Sequence, residues 1–236
     1  IYTLSLHDAL PIWSAPFLTL IFMNFTHKHP MTPVPDAVIV AAGDFPSHPA
    51  AYGAIERFRD RIICCDGVAD ALLRAGFMPL AVAGDGDSIS ETARDKVADR
   101  LHLESEQETN DLTKAVRYAL KQGHRRLLIV GATGKREDHT LGNISLLADY
   151  MDKATVEMRT DYGIFTPATG HTSFASYTGQ QISVFCVDSE PLTLRNVRWP
   201  LTRQRITRWW QGTLNEALSD QFEVETEGKV IVFRAY

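Results

Sequence analysis

The stretch AVAGDGDSIS, residues 81 to 90, sets two aspartates, Asp85 and Asp87, one residue apart directly after a short apolar run. Carboxylates that alternate along an extended turn can converge on one cation from two backbone positions. Hard divalent ions such as Mg²⁺ take carboxylate oxygens and share the rest of their shell with substrate phosphates. Gly84 and Gly86 let the backbone approach a ligand closely and permit a positive φ. The plainer alternative is an Asp-Gly turn with Ser88 capping the next helix.

Three other polar groups stand in comparable places. Asp66-Gly67 follows the run RIICC, QETNDLTK (107–114) opens a long helical pattern, and GATGKREDHTLGN (131–143) follows RRLLIV. Asp111 and Lys114, three apart on a helix, face the same side, with Gln107 just before them. Their plain reading is a surface ion pair of little worth. The segment after residue 130 is no P-loop: Gly131 and Gly134 enclose two residues where four are needed, and Arg136 follows Lys135. It starts like a dinucleotide fingerprint, but Glu137 occupies the third glycine position, which argues against an oxidoreductase. A phosphate site is the remaining functional reading, with Arg136 as a bidentate fork and Asp138 as a metal-binding or orienting carboxylate. His139, Gly142 and Asn143 then begin the following helix. A solvated loop cluster is the alternative for Arg136 and Asp138.

The elements that must carry these groups read clearly up to about Asp161. DAVIVAA, RIICCD, PLAVAGD, LHLES and RRLLIVGA are predicted strands, short and apolar or β-branched. Helical patterns separate them, the strongest being TNDLTKAVRYALKQG with Gly123 at its end. Strands alternating with helices predict right-handed β-α-β units and a largely parallel, Rossmann-like sheet. Such open sheets bind ligands beyond the carboxyl ends of their strands, where the polar groups above fall.

Beyond Asp161 the helical period stops. GIFTPATG, HTSFASY, QISVFCVD, PLTLRNVRW, FEVETEG and KVIVFRAY are short strand candidates between Gly, Pro and Asp, which predict an antiparallel sandwich or barrel. The expected domains are residues 31–155 (α/β, catalytic and nucleotide-binding) and 156–236 (β-sandwich). Residues 1–30 are set aside as a non-native or disordered tail. IYTLSLHDALPI, residues 1–12, reads as a translated sequencing adapter, and the native start is expected at Met23 or Met31.

Composition is that of a soluble globular protein, with 44% hydrophobic and 22% charged residues. A net charge of −5 argues against a general nucleic-acid binder. No stretch reads as a membrane span. Cys64, Cys65 and Cys186 form neither a disulfide framework nor a metal knuckle and are expected to be buried free thiols in a reducing cytoplasm.

Taken in order, these motifs resemble the thiamine pyrophosphokinase family. The resemblance covers residues 36 to about 236 and rests on Asp66-Gly67, GD-x-DS (Gly84 to Ser88), Q-x-x-x-D-x-x-K (Gln107, Asp111, Lys114) and G-x-x-G-x-R-x-D-H-x-x-G-N (Gly131 to Asn143). VRWPL (197–201) resembles the family's L-[KR]-[WY]-x-L, and GTLNE (212–216) its T-S-N-E. The resemblance implies transfer of a pyrophosphoryl group from ATP to the hydroxyethyl oxygen of thiamine, with Mg²⁺, releasing AMP. It also implies a homodimer with active sites between subunits.

Mapped onto this chain, it makes Asp85, Asp87 and Asp111 the metal-holding set, with Asp138 joining as the group that orients or deprotonates the hydroxyl. Arg136 and Lys114 balance phosphate charge. Asp66, Ser88, Gln107, Gly131, Gly134, His139 and Asn143 line the nucleotide side, and Trp199, Thr213 and Asn215 the thiamine side. Thiamine's permanent positive charge suits an acidic, aromatic-lined cleft. Trp209 and Trp210 are further aromatic candidates, with core or interface packing as their plain reading; RQRITRWW is read as an interface strand rather than an RNA-binding patch. Two positions depart from the family pattern: Gly86, where an aromatic is common and whose missing side chain should make the turn looser, and Leu214, where Ser is usual and a hydrogen bond is expected to be missing. The alternatives are a kinase moving a single phosphoryl group to another small alcohol, and a non-catalytic thiamine or nucleotide sensor.

Overall fold

In the computed structural model, residues 34–188 and 190–236 are described. The expected tail, residues 1–30, and both candidate start positions lie outside them.

The first half alternates strands and helices. Its strands are β1 (Ala37–Val40), β2 (Ile62–Cys65), β3 (Ala81–Gly84), β4 (Leu101–Leu103), β5 (Arg126–Val130) and β6 (Thr155–Arg159). Between them lie α1 (Pro49–Arg57), α2 (Ala69–Arg74), α3 (Glu91–Lys96), α4 (Asp111–Lys121), α5 (Glu137–Ser145) and α6 (Leu147–Tyr150). The six strands are parallel, in the order β4-β3-β2-β1-β5-β6.

Strand periodicity divides each apolar run between two cores. Ile39, Ile63, Cys65 and Ile129 face one side with Leu112, Ala115, Val116 and Ala119 of α4. Val38, Val40, Ile62, Cys64 and Val130 face the other with α1 and α2. The adjacent thiols of Cys64 and Cys65 therefore point to opposite faces. All three cysteines are free and buried, and burial pushes the thiols of the pair up, away from reactivity.

α4 explains itself locally. The Asn110 side chain caps it by accepting from the Thr113 N–H at 3.0 Å, and its apolar stripe is buried against β1, β2 and β3. Burial of Leu112 and Val116 alone contributes roughly 1.5–3 kcal/mol each. The helical pattern of residues 90–100 gives less than expected: α3 stops at Lys96, and a 3₁₀ turn covers Ala98–Arg100.

β6 spans the expected division at 155/156. It pairs in parallel with β5 and so belongs by pairing to the α/β half. It also pairs antiparallel with β7 (Gly163–Ala175), which carries the sheet into the second half without a break. There β8 (Gln181–Cys186), β9 (Pro191–Arg195), β10 (Leu201–Arg205), β11 (Asn215–Glu216) and β12 (Gln221–Ala235) follow.

Two pairs of expected short strands are each one long strand. β7 joins GIFTPATG to HTSFA, and β12 joins FEVETEG to KVIVFRA. Their pairing shifts register between Thr226 and Val230, so the ribbon bends where glycines suggested an end. Before the bend, β12 pairs β9 through Glu223–Thr226; beyond it, β8 through Val230–Arg234. The two layers enclose a core of Phe174, Ile182, Leu192, Phe222 and Val232. That is the expected sandwich, made by folding one sheet over.

Candidate active site

In the parallel sheet the chain runs outward from β1 to β4, then returns to the other side of β1 with β5. Crevices form at such a reversal. A cleft of about 580 Å³ lies there, lined by the ends of β1 and β2, by Asp85, by residues 107–112 and Lys114, and by the loop after β5.

The acidic wall is built around Asp66, which is wholly buried. Its carboxylate accepts from the N–H of Gly67 at 2.7 Å and of Gly86 at 2.8 Å. Gly84 is required for this approach, since a Cβ there would lie 2.5 Å from the Asp66 Cγ. Gly86 adopts φ +88°, and its carbonyl accepts from the Arg94 guanidinium. The expected looseness of the GDGDS turn is thus countered by hydrogen bonds at both backbone groups of its central glycine. Ser88 is exposed and lies outside the cleft lining; α3 is capped instead by Ser90, whose hydroxyl also meets Asp70 at 2.5 Å.

Asp66, Asp85 and Asp87 each present an oxygen within 4.8 Å of the others. The expected set was Asp85, Asp87 and Asp111. Asp111 instead faces Lys114 at 3.3 Å, and the same ammonium lies 3.9 Å from Asp85. Lys114 is only 2% exposed, so the expected surface pair is a buried ammonium between two carboxylates.

The charges perturb one another. The hydrogen-bonded Asp87, then Gln107 (3.1 Å from Asp85), hold Asp85 down to about 2, while the same Asp85 contact pushes Asp87 up. Burial pushes Asp111 up, and Asp66 adds to it. An excess of negative charge on hard oxygen donors, from buried Asp66 through half-buried Asp85 to exposed Asp87, fits a divalent cation such as Mg²⁺.

The opposite wall is the loop after β5, which is zipped to the loop after β1. Gly43 N donates to the Gly131 carbonyl at 2.7 Å, Asp44 N to that of Thr133 at 2.9 Å, and Lys135 Nζ to that of Ala42 at 2.7 Å. Gly134, Lys135, Arg136, His139 and Asn143 line the cleft; Gly131 lines a smaller depression behind it. Asp138 does not line the cleft. Its carboxylate is engaged by Arg136 at 2.5 Å and by the His139 N–H at 2.9 Å, and that ion pair is exposed. The solvated-cluster reading therefore describes Asp138 as it stands here. Asn110 and Lys135 line the site without having been singled out in the sequence; the N-x-x-T spacing of a helix cap is the signal that marks Asn110.

Trp199, Thr213 and Asn215 come together in a second cleft of about 290 Å³ on the sandwich, which shares no lining residue with the first. The Asn215 amide is spent on Trp199, accepting from its N–H at 3.1 Å and donating to its carbonyl at 2.8 Å. Thr213 Oγ1 donates to the Trp210 carbonyl. Leu214 sits beside them at φ +60°, and its N–H reaches Ser183 Oγ at 3.3 Å. Trp209 and Trp210 are exposed, which excludes a core role, although Trp209 meets Phe185 edge-on.

The architecture is that of an α/β protein with an appended antiparallel sandwich, its polar groups gathered where open parallel sheets receive ligands. Family models match both halves: the thiamin pyrophosphokinase catalytic domain over residues 55–159 and the thiamin pyrophosphokinase substrate-binding domain over residues 163–233. The chain belongs to the thiamin pyrophosphokinase family.

A thiamine pyrophosphokinase of Bacillus subtilis (strain 168) is 44% identical over 80 residues, which cover 32% of this chain and 37% of that protein. The alignment thus spans little more than a third of that relative's length. The fold likeness runs further. The crystal structure of thiamine pyrophosphokinase from Bacillus subtilis superposes with a TM-score of 0.70 at 23% identity, covering 84% of this chain and 98% of that one. The corresponding protein from Geobacillus thermodenitrificans gives 0.69 at 25% identity, covering 85% and 97%. Among the described residues no helix is long and apolar enough to cross a membrane.

Proposed function

We propose that this chain transfers the pyrophosphoryl group of ATP to the hydroxyethyl oxygen of thiamine, giving thiamine diphosphate and AMP. Family membership supports the substrates. The observation that carries the chemistry is the Asp66, Asp85 and Asp87 cluster beside buried Lys114 at the sheet's reversal point. Transfer of this kind needs little covalent chemistry and much positioning and charge neutralisation.

In this reading Asp66, Asp85 and Asp87 hold Mg²⁺, and Gln107 and Lys114 keep Asp85 ionised and aimed. The ion would supply neutralisation of the phosphate oxygens. Lys135 and Arg136 meet the phosphates from the other wall. Asp138 holds the Arg136 fork at the cleft, a role that fits its ion pair better than that of a base.

Trp199 and its neighbours on the sandwich form the thiamine side. Since the two clefts of one chain share no residue, the reading includes a homodimer in which each acidic cleft meets a partner's sandwich. Exposed Trp209, Trp210 and Leu214 support such an interface. The buried free thiols accord with a cytoplasmic setting.

The test is incubation with thiamine, ATP and Mg²⁺, followed by mass detection of products. Thiamine diphosphate and AMP are expected. ADP with thiamine monophosphate would point to single-phosphoryl transfer, and binding without turnover to a sensor.

A further inference from the structure

We infer that Asn110 is a positioning residue that holds the two walls of the cleft in register through a side-chain bridge to Asn143. The inference rests on the phosphotransfer reading above and assigns both amides a role in placing groups rather than touching the nucleotide. Asn110 Oδ1 accepts from Thr113 N at 3.0 Å and from Thr113 Oγ1 at 2.9 Å, which caps α4. Its Nδ2 donates to Asn143 Oδ1 at 3.0 Å, and Asn143 Nδ2 donates to the Ala132 carbonyl at 2.8 Å.

The ends of this chain are backbone groups of fixed polarity, an N–H at one end and a carbonyl at the other. They leave each amide a single orientation. Ala132 requires the Asn143 NH₂, so the Asn143 oxygen must face Asn110. Asn110 must then offer its own NH₂, which leaves its oxygen for the cap. Asp and Ser cap helices as well as Asn does. Neither can cap and also donate across the gap with this reach, so the bridge accounts for an amide at this position.

The bridge joins parts that one phosphate chain must touch together. Asn110 immediately precedes Asp111 and fixes the start of the helix that carries Lys114. Ala132 opens the loop that carries Lys135 and Arg136. Asn143 is nearly buried, and its amide is committed to protein partners. The expectation that it contacts the nucleotide gives way to a positioning role. Displacements of about 1 Å in such a site cost on the order of 10²-fold in rate.

The test uses Asn110→Asp and Asn110→Ser, both of which keep a cap; the neutral serine controls for added charge. The expected result is a melting temperature within about 2 °C of the parent, kcat lower by about 10- to 100-fold, and faster amide hydrogen exchange in residues 132–136 with α4 unchanged. Adding Asn143→Ser to Asn110→Ser should cost far less than the product of the two single losses, because one bridge is already broken. Unchanged loop exchange in both folded variants would overturn the inference, as would multiplicative losses. A melting temperature lowered together with faster exchange in α4 would reduce Asn110 to a helix cap and overturn it too. Loop exchange is read without substrates, so absence of thiamine diphosphate formation by the parent chain would count against the function and not against the bridge.

Discussion

On one wall of the cleft Lys114 is 2% exposed and fixed between Asp85 and Asp111; on the other, Arg136 and Asp138 are 71% and 59% exposed and pair with each other. The acidic wall hangs on a parallel strand end and the first turn of a helix whose apolar face is core. Its carboxylates keep their places because Asp66 takes two backbone N–H groups and Gly84 leaves room for it. The basic wall is a loop running into the first turn of α5, and its charged pair is exposed, with the His139 N–H as a further partner of Asp138. In the proposed function, the groups that would meet a cation are thus set in advance, whereas the arginine that would meet phosphate can exchange one oxyanion for another at little cost. Preorganisation matters most where like charges must be held together against their repulsion.

Several substitutions break or sharpen that contrast. The largest effect is expected from Asp85→Asn and Asp87→Asn: turnover falls by about 10³-fold or more in steady-state assays while circular dichroism is unchanged. Near-parent activity in both would remove the acidic wall from the chemistry. Lys114→Met keeps the buried stem and deletes the ammonium. It should lower kcat by about 10²-fold and also lower stability at neutral pH, by about 1–3 kcal/mol in denaturant titrations, because Asp85 and Asp111 lose their shared partner. Asp111 is already pushed up by burial, and loss of the ammonium pushes it further. The deficit should therefore shrink as pH falls and Asp111 takes a proton.

Arg136→Ala, on the exposed wall, should reduce kcat/KM by about 10- to 100-fold with an unchanged melting curve. A stability loss there comparable to that of Lys114→Met would erase the distinction between the walls.

The smallest functional effect is expected at the far end of the sheet. Asp36 accepts from the N–H groups of Arg125 and Arg126 and from the Arg126 guanidinium, whose hydrogen bond is the main cause of its drop from 3.8 to about 2. Asp36→Asn should cost about 1–2 kcal/mol at pH 7, the partial exposure of Arg126 limiting the figure, and leave kcat unchanged. A carboxylate with a lowered folded-state pKa stabilises above its ordinary value. The difference from the parent should thus persist above pH 4 and vanish as pH falls toward 2.

How much of this the sequence carried depended on where the determining contacts lie. β1, β2, β3 and β5 were legible because parallel strands buried on both faces read as continuous apolar runs. β6 escaped because TVEMR carries Glu157 and Arg159, which are buried as an ion pair at 2.8 Å. A charge satisfied inside the fold looks in sequence like one in solvent. β7 and β12 were each read as two strands because glycine usually ends a strand, whereas here it bends one.

In the site, the shared side of Asp111 and Lys114 was legible from helical spacing, while their roles and that of Gln107, just before the helix, came from the family resemblance. The membership of the acidic cluster was not, since Asp66 reaches Gly86 across 20 residues of sequence. Nor could spacing reveal that the Asp138 carboxylate would be spent on Arg136, or that the Asn110 and Asn143 amides would meet across 33 residues.

The most direct test of the preset acidic wall is Mn²⁺ titration followed by electron paramagnetic resonance, with a non-hydrolysable ATP analogue present. The parent chain should bind an ion at its cleft, and the paired Asp85→Asn and Asp87→Asn variant should lose it while Arg136→Ala retains it. Equal binding by the parent and the double aspartate variant would contradict the account.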